Sequence, residues 1–445
     1  MPPPRQGDRK KQPSKPNPKQ SRSQPKQSDR KPTRQSKLRD SDKSSEIDFS
    51  SVHISLQQLL LDVFKTALLS PSGPSPTTPH QDGTDASDRS NTESLDTKSL
   101  IQTIKSHLYQ RDFDSAFADA GEDLLRAYAL RWSAARALGY AGLFRGVLSW
   151  MQQSNMVGSG ADNINKSNPH GPVRAVCIGG GAGAEIVALA AAWRDLYADS
   201  GSTGLEKDIS DISLGEQTGK DNEAPQTSNS ERPPASSGHS HAPQLSVAAV
   251  DIADWSSVIE RLSRTIVSRD VPVVPSLKHK PPLIQSSTEL DVAFRRADVL
   301  SLPPDELKAV ILGKQQDDHP NSILVTLMFT LNELFSTSMA KSTGLLLHLT
   351  DIMPSGAVLL VVDSPGSYST LKLGKGKDEA SQERQYPMKF LLDHTLTSVA
   401  EGKWECIFTQ DSRWWRRDAS RLIYEVGEGA GLEDMRFQIH LYRRT

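Results

Sequence analysis

Between positions 56 and 68 the apolar residues Leu56, Leu59, Leu60, Val63, Phe64, Ala67 and Leu68 recur at three- and four-residue intervals. That spacing predicts one apolar helical face over 51–69, ended by Pro71. The same period returns from Leu100 to Trp150. Leu100, Ile104 and Leu108 make one stripe, and Leu124, Leu125, Tyr128, Trp132, Ala135 and Leu138 another, so two or three packed helices are expected over 98–157. After a break at Gly158, Gly160, Pro169, Gly171 and Pro172 the rhythm changes. Short apolar runs at Val173–Ile178, Leu245–Val250, Val299 with the residues before it, Ile323–Phe329, Ala357–Val362 and Trp404–Phe408 read as strands. Met435–Tyr442 alternates and reads as an edge or antiparallel final strand. Strands alternating with helical stretches predict an α/β fold with a Rossmann-like parallel sheet over 172–445, preceded by a helical layer.

The polar stretches divide the chain further. Residues 1–50 are rich in Pro, Gln, Ser, Lys and Arg, too poor in apolar side chains to offset the entropy of ordering, and are expected to form a disordered tail. Residues 70–97 read as a linker, and the Ser, Gly, Asp and Pro-rich tract 199–243 as an insertion looping out of the domain. An overall hydrophobic content of 36% agrees with that much non-core sequence.

Charge changes the picture. The formal net charge is −2, but residues 1–39 hold thirteen Lys or Arg against only Asp8 and Asp29, so the tail carries +11 and the rest −13. A basic arm on an acidic body suits nucleic acid, and a merely solvated tail is the alternative. Arg9-Lys10-Lys11 resembles a nuclear localisation cluster. Cys177 and Cys406 are the only cysteines, too few for a disulfide framework or a multi-cysteine zinc site, so a reducing compartment and no metal are expected. Apolar runs such as Ala357 to Val362 are too short for a membrane span, and Met1-Pro2-Pro3-Pro4-Arg5 leads into no apolar signal region. A soluble intracellular protein is expected.

Candidate chemistry starts at the first strand, where Val173–Ile178 runs into Gly179-Gly180-Gly181-Ala182-Gly183-Ala184-Glu185 and a helix. Strand, glycine turn, helix brings backbone close to a nucleotide at a helix N-terminus. Gly179, Gly181 and Gly183 match G-x-G-x-G, the spacing that favours S-adenosylmethionine over a dinucleotide. The second strand ends at Asp251, placed to accept hydrogen bonds from ribose hydroxyls. Gly183 and Asp251 are 68 residues apart, and removing 199–243 leaves 23, near the usual ~20. Asp298, before Val299-Leu300, stands where methyltransferases commonly place a residue reaching the adenine amino group, with a solvated loop Asp as the alternative. Thr330-Leu331-Asn332-Glu333 and Asp363-Ser364-Pro365-Gly366-Ser367-Tyr368 follow the next two strands, where this fold presents substrate-facing residues. Arg413-Trp414-Trp415-Arg416-Arg417 interleaves indoles with guanidinium groups, suited to stacking on bases and pairing phosphates, or to packing under a loop.

Several of these stretches together resemble the fungal methyltransferases that modify uracil N3 in large-subunit (25S) ribosomal RNA. The resemblance rests on Tyr128-Ala129-Leu130-Arg131-Trp132-Ser133-Ala134-Ala135-Arg136-Ala137-Leu138, the glycine loop, Val250-Asp251-Ile252-Ala253-Asp254-Trp255, Leu327-Met328-Phe329-Thr330-Leu331-Asn332-Glu333-Leu334 and the rim from Asp363 to Tyr368. It spans roughly residues 98–445 without the insertion. It implies a Rossmann-like fold, S-adenosylmethionine as cofactor, and large-subunit rRNA or a pre-ribosomal particle as partner. A nuclear or nucleolar place follows, with the cytoplasm as alternative. Cys177 departs from the acidic residue many such enzymes carry there, which leaves Glu185 as the nearer carboxylate for the methionine amino group.

The residues narrow the target as well. Methylation at pyrimidine C5 needs a nucleophilic cysteine, and Cys177 and Cys406 both fall in predicted strands. Adenine-N6 enzymes use an Asn/Asp-Pro-Pro-aromatic turn, but Asn332-Glu333-Leu334-Phe335 stands there. Uracil N3 needs in-line positioning and help in losing its proton. Asn332 can hold a uracil carbonyl, and Glu333 or Asp363 can take the proton. The rival readings are a protein or small-molecule methyltransferase on the same fold, and an inert RNA-binding adaptor.

Overall fold

Five strands lie parallel at the centre of the protein: β1 (Val173–Ile178), β2 (Leu245–Asp251), β3 (Leu290–Arg296), β4 (Ser322–Met328) and β5 (Val358–Asp363). Two more, β8 (Trp404–Trp415) and β9 (Met435–Arg444), complete a seven-stranded sheet of order β3-β2-β1-β4-β5-β9-β8, with β9 antiparallel to both neighbours. The order reverses between β1 and β4, the switch point outside whose carboxyl strand ends such sheets bind their ligands. A separate antiparallel hairpin, β6 (Tyr368–Leu373) and β7 (Gln382–Pro387), leaves the end of β5. The computed structural model describes residues 47–69, 95–110, 112–158, 171–197, 244–273, 278–313, 322–366, 368–373 and 382–445. The expected insertion, nearly all of the expected tail and most of the linker lie outside the described residues.

The central strands are buried on both faces, as their near-continuous apolar runs demand. Along β1, Ala175 and Cys177 enter one core and Val176 and Ile178 the other. Helices α5 (Ala184–Tyr197) and α6 (Ser256–Ile266) bury their apolar residues in the first core. Helices α7 (Pro304–Leu312), α8 (Leu331–Thr337), α9 (Met339–Ile352) and α10 (Met388–Asp393) fill the second.

The first core also takes up the helical layer: α1 (Ile54–Leu69), α2 (Thr97–Gln110), α3 (Glu122–Tyr128) and α4 (Ala134–Gly158). A π-helical turn, Ala129–Ser133, joins α3 to α4. Helix α4 packs along α5, and α1 is covered by α4, α5 and α6. Accordingly α1 is buried on most sides, Ser55, Gln57 and Gln58 included, not along one face. Two glycines make the docking possible: a Cβ at Gly142 would lie 2.6 Å from Ser50 O, and one at Gly146 2.5 Å from Asp48 O. Ile47 and Phe49, inside the stretch expected to lack a core, are buried here.

The third strand corrects the sequence reading. β3 ends at Arg296, and Val299 lies beyond it in a turn where Ser301 N donates to Asp298 O at 3.0 Å. β3 lies at an edge and carries Asp291, Arg295 and Arg296, so its apolar run is cut to Val292-Ala293-Phe294. β8 likewise runs past Phe408 to Trp415.

Candidate cofactor and substrate site

The glycine loop turns where it must. Gly179 and Gly183 have φ of 78° and 82°, the left-handed region that side chains disfavour. Gly181 is required for another reason: a Cβ there would collide with the Trp255 ring and lie 2.7 Å from Asp251 Cβ. The loop backbone thus passes in contact with the end of β2. Gly181 N donates to Asp251 Oδ2 at 3.1 Å, and Ala253 N donates to Oδ1 at 3.2 Å. Burial pushes the Asp251 carboxyl above its ordinary pKa, against those two N–H groups.

Glu185 lies in the first turn of α5, directly behind the loop, and is 3% exposed. Thr326 of β4 donates to its Oε1 at 3.0 Å. A Cβ at Gly180 would sit 2.7 Å from its Oε2. Burial raises this carboxyl to about 8, Thr326 opposes the rise, the charge of Asp251 adds to it, and Arg136 again opposes.

Arg136 reaches the site from the helical layer. Its Nη1 donates to Tyr128 Oη at 3.1 Å, and its guanidinium carbon stands 5.3 Å from the ring centroid of Phe329. Burial pulls its pKa down, but Tyr128, Tyr140 and Glu185 outweigh that, so it stays charged. Phe329 follows β4 with φ of 58°, a strained conformation for an aromatic residue. Tyr140 stacks near it at 6.4 Å, and Tyr128 packs against Trp132 at 4.9 Å and Trp255 at 5.7 Å. An aromatic roof, with Arg136 over Phe329 and Arg131 over Trp132, therefore covers the carboxyl ends of the central strands.

Beneath it, Asp363 closes β5 at 3% exposure and accepts from Asn332 N at 3.0 Å and Ser364 N at 2.7 Å. Burial raises its pKa to about 6, those N–H groups oppose the rise, nearby Glu333 adds to it and Arg136 opposes it. The Asn332 side-chain oxygen is buried and, among the described residues, has no hydrogen-bond partner. Such an orphaned acceptor at the strand ends suits a ligand group. Glu333 is exposed on the first turn of α8.

The remaining sequence candidates scatter. Asp298 is exposed and accepts from Leu300 N at 2.9 Å and Ser301 Oγ at 2.6 Å, which occupies its carboxylate in its own turn. Arg413 and Trp415 face inward on β8: Arg413 lies 5.6 Å from the Phe49 ring centroid, and Trp415, buried, donates to Ser51 Oγ at 3.2 Å. Trp414 points the other way, 51% exposed, with Arg416 at 4.7 Å and Arg436 of β9 at 5.8 Å from its ring centroid. Arg417 is held through its backbone N–H to Asp434 at 3.2 Å. Cys177 is buried, which raises its pKa and makes it a poor nucleophile, and Cys406 lies on β8, outside the strand ends that carry the site. Arg136 and Phe329 were not singled out from the sequence. The only signal was a lone guanidinium between Ala135 and Ala137 on an otherwise apolar stretch.

A family model described as that of SAM-dependent methyltransferases matches residues 84–443. The chain belongs to this family. The methyltransferase is also 30% identical over 349 residues to a Saccharomyces cerevisiae protein named 25S rRNA (uridine(2843)-N(3))-methyltransferase, covering 77% of this chain and 76% of the yeast one. Among solved structures, magnesium protoporphyrin IX methyltransferase from Synechocystis PCC 6803 with bound SAM is similar at 10% identity and a TM-score of 0.30, over 79% of this chain and 99% of that one. A methyltransferase from Clostridium acetobutylicum ATCC 824 gives 9% identity and a TM-score of 0.27, over 66% and 90%. Likenesses that distant assign no residue roles. The cofactor of this methyltransferase is S-adenosylmethionine, and the glycine cradle with buried Glu185 and half-buried Asp251 beside it fits that molecule.

Proposed function

We propose that this methyltransferase transfers the methyl group to N3 of a uridine in large-subunit rRNA. The observation that carries the reading is the 30% identity to the yeast uridine-N3 enzyme over three-quarters of both chains, 77% and 76%. The site chemistry supports it. Asp363, raised to about 6, is ionised at neutral pH yet basic enough to accept a proton. Beside it stands an amide with an unpaired oxygen, Asn332.

The glycine loop from Gly179 to Gly183 would hold the cofactor's amino-acid end, with Glu185 facing its ammonium and Asp251 its ribose hydroxyls. Asp298 would serve the adenine edge only after releasing its own turn. When bound, S-adenosylmethionine supplies a sulfonium-activated methyl group. The protein's task is then to place uracil N3 in line with it and to take away the N3 proton. Asn332 orients the pyrimidine by donating an N–H of its side-chain amide, Nδ2, to a ring carbonyl. Asp363 receives the proton as the N3 lone pair forms the new bond, with Glu333, exposed on the next turn, as the second acceptor. No cysteine adduct is needed.

Binding of RNA falls to Trp414, whose ring has the Arg416 and Arg436 guanidinium groups against it, to Arg417, and to the tail with its charge of +11, while Arg413 and Trp415 hold the strand from its inner side. The helical layer over 98–157 acts as the roof of the same site. No described helix is long and apolar enough to cross a membrane, and an rRNA substrate favours the nucleus or nucleolus. Among the described residues no cluster of three or more His, Cys, Asp or Glu could hold a metal. Mass spectrometry of rRNA nucleosides from a deletion strain tests the reading: 3-methyluridine should fall. Loss of a 6-methyladenosine or a 5-methylpyrimidine instead would overturn it.

A further inference from the structure

Outside this site, three aromatic rings stand in a row: Tyr386 at the end of β7, Phe390 on α10 and His394 one turn later. Ring centroids are 5.5 Å and 6.0 Å apart, with planes inclined by only 19° and 4°. Phe390 is 51% exposed, and His394 is exposed as well. A single surface aromatic is ordinary, but three parallel rings at i, i+4 and i+8 make an ordered face.

Its position is fixed by register. Tyr386 pairs with Ser369 on the hairpin that leaves β5 directly after Asp363. The row therefore starts on the hairpin at the carboxyl-end rim, and α10 packs against α8, the helix that carries Asn332. Lys389 of α10 reaches Asp411 of β8 at 2.6 Å, and β8 continues from there to Trp414 with its two guanidinium groups. Flat apolar faces flanked by cations and polar groups suit unpaired bases better than an apolar protein helix.

We propose that Tyr386, Phe390 and His394 form a stacking platform for unpaired bases of the substrate RNA next to the target nucleotide. The proposal rests on the RNA reading above. It is tested with the full chain and a single-stranded oligouridylate carrying one 2-aminopurine, whose fluorescence falls on stacking. Phe390→Ala should weaken binding about tenfold and reduce the quenching, while S-adenosylmethionine affinity stays at the wild-type value. Phe390→Trp should restore both. Wild-type binding and quenching by Phe390→Ala would overturn the platform alone, and Arg416→Ala would still weaken binding. Failure of the wild-type protein to bind the RNA at all would overturn the RNA reading and the platform together. Loss of binding to a protein-bearing pre-ribosomal particle, with oligouridylate binding intact, would give the surface to a protein partner and overturn the proposal.

Discussion

Glu185, proposed to face the cofactor's ammonium, also bears on the stability of the fold. Its folded pKa of about 8 lies above the ordinary 4.5, so the folded state holds its proton more tightly than the unfolded chain does. The stabilisation is complete below pH 4.5 and is lost as pH rises through about 8. Glu185→Gln, which keeps the shape without the charge, should melt like wild type near pH 4.5 and well above it at pH 9. The difference is on the order of a few kcal/mol. Melting curves across that range check this, and a constant difference at all pH values would contradict it. Asp363, the proposed base, should show a catalytic signature instead. A base of pKa about 6 must be ionised to work, so turnover should fall below pH 6 and level off above it. Asp363→Asn should lower turnover by ~10²-fold, remove that acid limb and recover partly in alkali, where uracil loses its proton unaided. Equal pH–rate profiles would show that positioning suffices. Gly181 and Asp251 were legible in the sequence because a turn and a strand end are local features. Arg136 was not, because its role exists only once the helical layer folds back over the loop. Nor could the sequence show that Phe329 takes φ of 58°.

At the scale of elements, legibility followed burial. β1, β4 and β5 are covered on both faces and announce themselves as apolar runs. β3 at the edge keeps only a short run, and the hairpin β6–β7 with its polar sequence carries none and was not foreseen. In β8, register shifts between Cys406 and Phe408 and between Gln410 and Arg413 disturb the alternation that would have revealed its full length. α1 was foreseen as a helix but not as a core element. Leu56, Leu59, Leu60, Leu61, Val63, Phe64 and Leu68 are all 0% exposed, which makes it part of the catalytic unit. Leu60→Ala should cost about 2–5 kcal/mol in chemical denaturation. A chain starting at residue 47 should fold and bind cofactor, whereas one starting at residue 70 should aggregate. A soluble, active protein lacking residues 1–69 would refute that placement.

For the whole molecule, the arrangement of charge governs the encounter with substrate. If the +11 tail contributes to RNA binding, its deletion up to residue 46 should lower RNA affinity, flatten the salt dependence and leave cofactor affinity unchanged. An unaltered salt slope in a filter-binding series would leave the tail only a role such as nuclear import. The sheet has a second asymmetry. Val173, Leu245 and Ser322 lie side by side at the amino ends of β1, β2 and β4, and the segments 159–170, 198–243 and 314–321 each run into one of these ends. The glycine loop, Asp251, Asn332 and Asp363 all stand at the opposite ends. A chain without 199–243 should therefore methylate RNA at the wild-type rate. Among descendants of one ancestral enzyme, length should drift freely at the amino-end pole and stay nearly constant in the loops that carry these four features, so gaps between species would map the working loops of the molecule without a single assay.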